Sequence, residues 1–372
     1  MLFLLNYNPD QFMNYEDFII PPKYIKTEKW QFGSQLKDEL PEAGIALLWV
    51  SDYRGAGESA EMLDFTPVRR QLYQLSGLDF EVPVHDFGDL ISGKTREDTS
   101  YILQEILSSC HYKKTIPVVI GGSNDLSFSV YSALNFHHKN ISYTQISDRI
   151  SLDTEGTEVT ENNFLSKIFS SKNFSINKYH HLGYQKHLNE VETIKLMNEV
   201  DFDVMRLAEM MNRPDKAEPF LRTTDMVTVN CDAVESMSDC FSIHPQVNGL
   251  NRREICAIMK EIGLGRNLKS VGIFNVVADS GNILNEQLLA QMIWYLIEGI
   301  NIRKSHPEER EFETFWVIID DSQYAFRRDV FSNLWYFGNS ESIEEWLPCT
   351  IDDYENAKRG ILSSRLLKFL HH

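Results

Sequence analysis

Cysteine is scarce in this 372-residue chain, and what there is falls into no pattern. Cys110, Cys231, Cys240, Cys256 and Cys349 are scattered, with no CxxC pair and no zinc-type spacing. An odd, sparse set argues against a disulfide framework and for reduced thiols in a cytoplasmic protein. Basic charge is also in short supply. Lys and Arg number 36 against 54 Asp and Glu, a formal net charge of −18. So acidic a surface disfavours phosphate backbones, and nucleic acid is not expected as a partner. No apolar run reaches the roughly 18 residues of a membrane span, so no membrane partner is expected either. The opening MLFLLNYN has no basic stretch ahead of its apolar run and no small-residue cleavage site, so a secretory leader is not expected. GxGxxG, GxxxxGK[ST] and GxSxG are all missing, which argues against dinucleotide, P-loop and α/β-hydrolase sites.

What is present is ordinary globular composition, 42% hydrophobic and 24% charged, arranged as alternating strand-like and helix-like segments. Strands are expected at 45–50, 84–90, 116–120, 141–146, 181–184, 226–231, 269–277 and 315–319. Helices are expected near 65–75, 95–109, 127–134, 190–197, 201–210, 252–262 and 286–302. Such alternation implies right-handed crossovers and a mainly parallel sheet of about eight strands between two layers of helices. With no linker and no repeat, residues 1–372 read as a single α/β domain. Its core spans about 45–320, an N-terminal extension covers about 1–44, and an aromatic-rich C-terminal extension covers about 323–372.

Ligands of open α/β sheets sit at the carboxyl ends of strands, which directs attention to PVVIGGSNDL, Pro117 to Leu126. A buried strand there meets Gly121-Gly122 and then Ser123, Asn124 and Asp125.

Further segments share an order with one known group. Arg54-Gly55-Ala56-Gly57 precedes Thr66-Pro67-Val68-Arg69, and Asp86-Phe87-Gly88-Asp89 follows. His181-Leu182-Gly183-Tyr184-Gln185, Asn248-Gly249-Leu250-Asn251-Arg252-Arg253-Glu254 and Asn275 to Asp279 complete the series. In this order the segments resemble the ureohydrolase superfamily of arginase, agmatinase and formimidoylglutamase, and most of all the formimidoylglutamase branch. The resemblance covers about residues 45–320 and implies a three-layer arginase-like fold. It also implies homo-oligomers and the hydrolysis of guanidines or amidines by a hydroxide bridging two manganese ions.

The resemblance places the metal ligands in a G-G-D-H turn, a D-x-H-x-D run and an S-x-D-x-D run. Here the first turn has Asn124 for its histidine. The second run becomes Ser147, Asp148, Arg149, Ile150, Ser151, and the third Asn230, Cys231, Asp232. Asn124, Ser147, Arg149, Ser151 and Asn230 are therefore vacated metal-site positions, and Asp232 alone keeps a carboxylate. Neutral oxygens bind manganese weakly, and a guanidinium repels it. The expectation is accordingly no cofactor, with Asp232 the ligand if any metal is held.

Arg149 is expected to act as an internal counter-ion for Asp125, Asp148 and Asp232, the alternative being a side chain in solvent. Ser123, Asp125, Asp148, His181 and Gln185 are candidate ligand-binding residues, with His181 and Gln185 as a polar wall or His180-His181 as a packed pair. Asp153 and Glu155 are candidates for displaced carboxylates. His244-Pro245 reads as a loop turn, and Cys231 as core-facing.

Three functions stay open. The first is a non-hydrolytic homologue that binds a small guanidino, amidino or amino-acid-like ligand or a protein partner. The second is a C–N hydrolase using a rearranged site, and the third a structural subunit beside an active paralogue.

Overall fold

A computed structural model describes residues 15–61, 63–77, 79–200, 202–236, 239–277, 281–319 and 321–371. Nine strands form the main sheet. They are β1 (Ile19–Ile20), β2 (Ile45–Val50), β3 (Val84–Leu90), β4 (Ile116–Ile120), β5 (Ile141–Ile146), β6 (Ile176–Tyr184), β7 (Asp203–Arg206), β8 (Met226–Asn230) and β9 (Ser270–Phe274). Their spatial order is β1-β3-β2-β4-β9-β8-β5-β6-β7. Every pairing is parallel except that of β1, a two-residue strand of the N-terminal extension lying antiparallel on Leu90 and Asp89 of β3. This is the expected arginase-like α/β architecture, one strand wider than expected.

The helices of the main body are α1 (Thr66–Tyr73), α2 (Arg96–Tyr112), α3 (Ser127–His137), α4 (Phe164–Ser170), α5 (Val191–Glu199), α6 (Leu207–Met210), α7 (Glu218–Leu221), α8 (Arg252–Leu264) and α9 (Ile283–Lys304). Alternate residues of β2 show how two cores form. Ile45, Leu47 and Trp49 pack with α1, α8 and α9, whereas Ala46, Leu48 and Val50 face α2, α3 and α4. Among the described residues, no helix is long and apolar enough to cross a membrane.

Several segments that carry the family resemblance prove to be structural. Asn251 caps α8, accepting from the Arg253 and Glu254 amides while Glu254 returns a bond to the Asn251 amide. Arg69, 1% exposed, donates from Nε to Asp86 Oδ2 at 3.0 Å and from Nη1 to Asp89 Oδ1 at 2.8 Å. Tyr73 Oη (2.7 Å), Trp49 Nε1 (3.2 Å) and the Gly88 amide (2.8 Å) complete the partners of Asp86, and the guanidinium lies 4.6 Å from the Trp49 ring centroid.

Two sequence expectations are corrected. Residues 203–206 form the edge strand β7 where a helix was expected from 201, and only 207–210 are helical; Asp201 lies outside the described residues. Residues 315–319 do not extend the main sheet. They belong to β10 (Phe312–Ile319), which pairs antiparallel with β11 (Ser322–Asp329). The left-handed backbone of Asp321 (φ 62°) helps turn the chain back locally, so this apolar run pairs with its immediate neighbour. With β12 (Trp335–Phe337) and β13 (Leu347–Cys349) these strands make a second, antiparallel sheet. Helices α10 (Ile351–Ala357) and α11 (Ser364–His371) follow. The sheet has its own core of Val317, Phe326, Trp335, Phe337 and Leu366. Arg222 fastens it to the main body, donating to the Trp335 carbonyl at 2.6 Å with its guanidinium 4.5 Å from the Tyr336 ring centroid.

Candidate functional site

The turn after β4 is shaped by two left-handed glycines, Gly121 (φ 86°) and Gly122 (φ 74°). A Cβ on Gly121 would lie 2.5 Å from the Val50 carbonyl oxygen, so the chain passes here only as glycine. The turn delivers Ser123, Asn124 and Asp125, all buried. Ser123 Oγ donates to Asp125 Oδ1 at 2.5 Å, and Arg96 Nη2 donates to Asp125 Oδ2 at 2.5 Å. Gly55 packs so tightly here that a Cβ would fall 1.8 Å from Asp125 Oδ1, which accounts for a glycine in that early loop. Asn124 does not face an open site. Its Oδ1 accepts from Ser127 Oγ at 3.2 Å, and its amide donates to Asn275 Oδ1 at 2.8 Å.

Asn275 joins three strand ends. It is fully buried just past β9, in a left-handed conformation (φ 60°) that asparagine tolerates. Its Nδ2 donates to Asp232 Oδ2 at 2.7 Å and to Glu161 Oε2 at 3.3 Å. Asp232, after β8, also accepts the His244 amide at 3.1 Å on Oδ1. Glu161 Oε1 lies 2.8 Å from His244 Nε2. That bond holds the His244 imidazole above its ordinary pKa, whereas burial pushes the Asp232 carboxyl up. Asn230 Oδ1 accepts the Asp232 amide at 3.0 Å, and its Nδ2 donates to Ser147 Oγ at 3.3 Å. Cys231 points into the core, as expected.

Asp148 behaves differently from its neighbours. It is 1% exposed, and neither carboxylate oxygen has a hydrogen-bond partner among the described residues. Burial, reinforced by the nearby Asp232 charge, raises its pKa to about 6. Arg149 does not neutralise the cluster. Its side chain is 45% exposed and its Nε stands 4.0 Å from Asp148 Oδ2, too far for a hydrogen bond. Asp125 is paired with Arg96 and Asp232 with Asn275, so the expected role of Arg149 as internal counter-ion narrows to one long ion pair with Asp148. The sequence offers a cation at the right position, but the side chain leaves the pocket towards water, where guanidinium is better hydrated.

The proposed polar wall is occupied by its own neighbours. His181 is fully buried, with Nδ1 2.9 Å from Tyr179 Oη and Nε2 3.1 Å from the Ser147 carbonyl. Burial lowers its pKa to about 4, so it is neutral. Gln185 exchanges two bonds with Asn248, at 2.7 and 3.1 Å. Ser151 is buried, and Asp153 and Glu155 stay on the loop outside the cluster. Asp279 lies outside the described residues.

The structure thus brings together Ser147, Asn230 and Asp232, reaches Asn124 through Asn275, and sets Arg149 aside. Glu161, His244 and Arg96 are additions that sequence reading missed as site residues. His244 lies in the loop expected there, but its imidazole turns inward. The larger cavities, about 720, 680 and 550 Å³, are lined by other residues.

The donor set does not fit a manganese pair. Among the described residues, no group of three or more His, Cys, Asp or Glu side chains is arranged to hold a metal. An amide nitrogen, which cannot coordinate while it donates, lies between the carboxylates of Asp232 and Glu161.

Solved structures place this fold. Trypanosoma cruzi formiminoglutamase, solved with Mn2+, superposes with a TM-score of 0.66 at 16% identity, over 73% of this chain and 99% of that one. Bacillus subtilis formimidoylglutamase matches with a TM-score of 0.63 at 14% identity, covering 75% and 95%. Bacillus subtilis arginase gives 0.55 at 14%, covering 68% and 98%. A sequence search of curated proteins finds no match. These neighbours overturn the expectation of no cofactor: the formiminoglutamase is a Mn2+ structure, so manganese is the ion this kinship implies, even though the described side chains do not reproduce a ligand set for it. Residues 60–296 match the model of the Arginase family, well over half the chain, and the protein belongs to that family.

Proposed function

We propose that this arginase-family protein no longer hydrolyses guanidines or amidines and uses the strand-end cluster to bind a small cationic ligand of that class, or an amino-acid-like relative. The observation that carries the reading is Asp148, a buried carboxylate without a hydrogen-bond partner among the described residues, beside Asp232, with the half-exposed Arg149 no nearer than 4.0 Å. A buried carboxylate without hydrogen bonds is costly, and an amidinium or guanidinium donates two parallel bonds to such a group. The loss of hydrolysis is supported by the neutral side chains at Asn124, Ser147, Ser151 and Asn230 and by the Asn275 amide beside Asp232. No step that activates water is derived for these residues.

The test is calorimetric titration with guanidinium, L-arginine and formamidine, each with and without Mn2+, followed by recovery of the ligand. Saturable binding that Asp148→Asn abolishes, with the ligand recovered unchanged, is the expected result. Because the carboxylate is the binding form, affinity should fall as pH drops through about 6. Recovery of hydrolysed ligand favours the second reading, a C–N hydrolase with a rearranged site. We read the main body and its terminal additions as one domain, supported by the Arg222 bond to the second sheet, and take self-association from the habit of the family.

A further inference from the structure

A cavity of about 680 Å³ lies in the seam between the main body and the second sheet, where Arg222 fastens the two. The C-terminal ends of α8 and α9 form one side of it, and the turn between β11 and β12 forms another. Leu264 and Ile302, both half-buried, come from the helices, and Phe331 and Leu334 come from the turn. The cavity therefore has an apolar lining that the main body and the second sheet build together.

Its cations are matched, with one exception. Arg222 Nε donates to Glu218 at 2.7 Å, and Arg310 Nη2 donates to Asp329. Lys260 Nζ lies 3.1 Å from Glu298 Oε2, and Arg266 Nη2 stands 4.0 Å from Glu344 Oε1 in a long, exposed pair. Arg303 differs. Its Nη1 donates to the Gly265 carbonyl, and no carboxylate pairs with its guanidinium among the described residues. Desolvation lowers the Arg303 pKa, but a guanidinium keeps its charge in proteins. Two carboxyl groups of the lining, Glu261 and Glu308, do not pair with it. Burial, reinforced by the Glu218 charge, pushes Glu261 up to about 7, so near neutral pH it is charged only in part. Glu308 is exposed to water. A partly desolvated guanidinium with N–H groups to spare is a fork for a carboxylate, which accepts two parallel bonds from it.

We propose that this cavity binds a small amphipathic carboxylate, its acid group on Arg303 and its apolar body along Leu264, Ile302, Phe331 and Leu334. Such a ligand touches both the helices and the turn, so its occupancy braces the second sheet against the main body. The described lining shares no residue with the Asp148 cluster, so the site stands or falls separately from the function proposed above.

Calorimetry and thermal unfolding of the full chain with sodium octanoate and with sodium hydrocinnamate test the proposal. Sodium acetate at matched ionic strength supplies the charge without the apolar body, and octanamide the body without the charge. At least one of the two acids should bind saturably and raise the midpoint, and which one does so says whether the body is aliphatic or aromatic. Acetate and octanamide should leave the midpoint in place. Arg303→Gln should weaken the binding by about tenfold or more, and Arg303→Lys should keep part of it. Phe331→Ser, at an exposed position, should also weaken it while the midpoint of the unliganded protein holds. No saturable binding of either acid overturns the proposal. So does octanamide that binds as tightly as octanoate, or acid binding that Arg303→Gln and Phe331→Ser both leave unchanged.

Discussion

Two buried polar clusters of the main body have been treated very differently. Around Arg69, every partner is in place: the guanidinium bonds two carboxylates, and a tyrosine hydroxyl, an indole and a backbone amide complete the bonds of Asp86. Around Asp232, the one carboxylate that family resemblance assigns to a metal ion is met by the amide of Asn275, and Asp148 has no hydrogen-bond partner among the described residues, only Arg149 at 4.0 Å. The first cluster ties α1 to β3 and β2 and belongs to the fold. The second occupies the positions that the family resemblance assigns to metal ligands. A buried charge that loses its partner inside the fold is strongly destabilising, so the Arg69 group resists piecemeal change. Reaction ligands can be exchanged for neutral groups that bond to one another, and the fold persists. Family identity and family chemistry therefore rest on separate sets of residues in this chain.

The largest effect is expected at the intact cluster. Arg69→Met strands Asp86 and Asp89 without a cation and should cost about 3–5 kcal/mol, read from urea unfolding. A loss below about 1 kcal/mol would mean the cluster does not hold the fold and would collapse the contrast. Next is Asn275→Ala, which strips the amide from Asp232 and leaves the Asn124 N–H unpaired. The backbone there is also left-handed. It should cost about 2 kcal/mol in the same measurement.

Asp148→Asn should move stability the other way. A carboxyl whose folded pKa is raised holds its proton longer when folded than when unfolded, so stability falls as pH rises between the ordinary value near 3.8 and about 6. The variant should therefore be about 1–2 kcal/mol more stable than the parent at pH 7, and the gain should vanish by pH 4. A gain that persists at pH 4 would point to packing as the cause. The smallest effect belongs to Arg149→Gln, expected within about 0.5 kcal/mol because the side chain is half in water. A large loss there would show that the long ion pair with Asp148 carries the full counter-ion role.

Much of the fold was legible, because parallel strands buried on both faces read as apolar runs such as IALLWV and IPVVI. The run FETFWVII was misplaced because local apolarity does not say which sheet a strand joins; that depends on its hairpin partner at 322–329. β7 was missed because an edge strand of four residues is set by its pairing with β6. At the site, the missing ligands were visible position by position. What replaced them was not. Glu161 arrives on a loop without periodic signal, and the direction of Arg149 depends on the relative hydration of a guanidinium, which spacing does not encode. The Asn275 bridge needs a left-handed backbone that a sequence motif names only by its asparagine.

The measurement closest to the central claim is turnover. The purified chain, supplied with saturating Mn2+, is incubated with formiminoglutamate, arginine and agmatine, and released formamide or urea is quantified over time. No product above a blank lacking protein is expected. Steady catalytic release from any one of the three would contradict the claim that this strand-end cluster has left the reaction of its family.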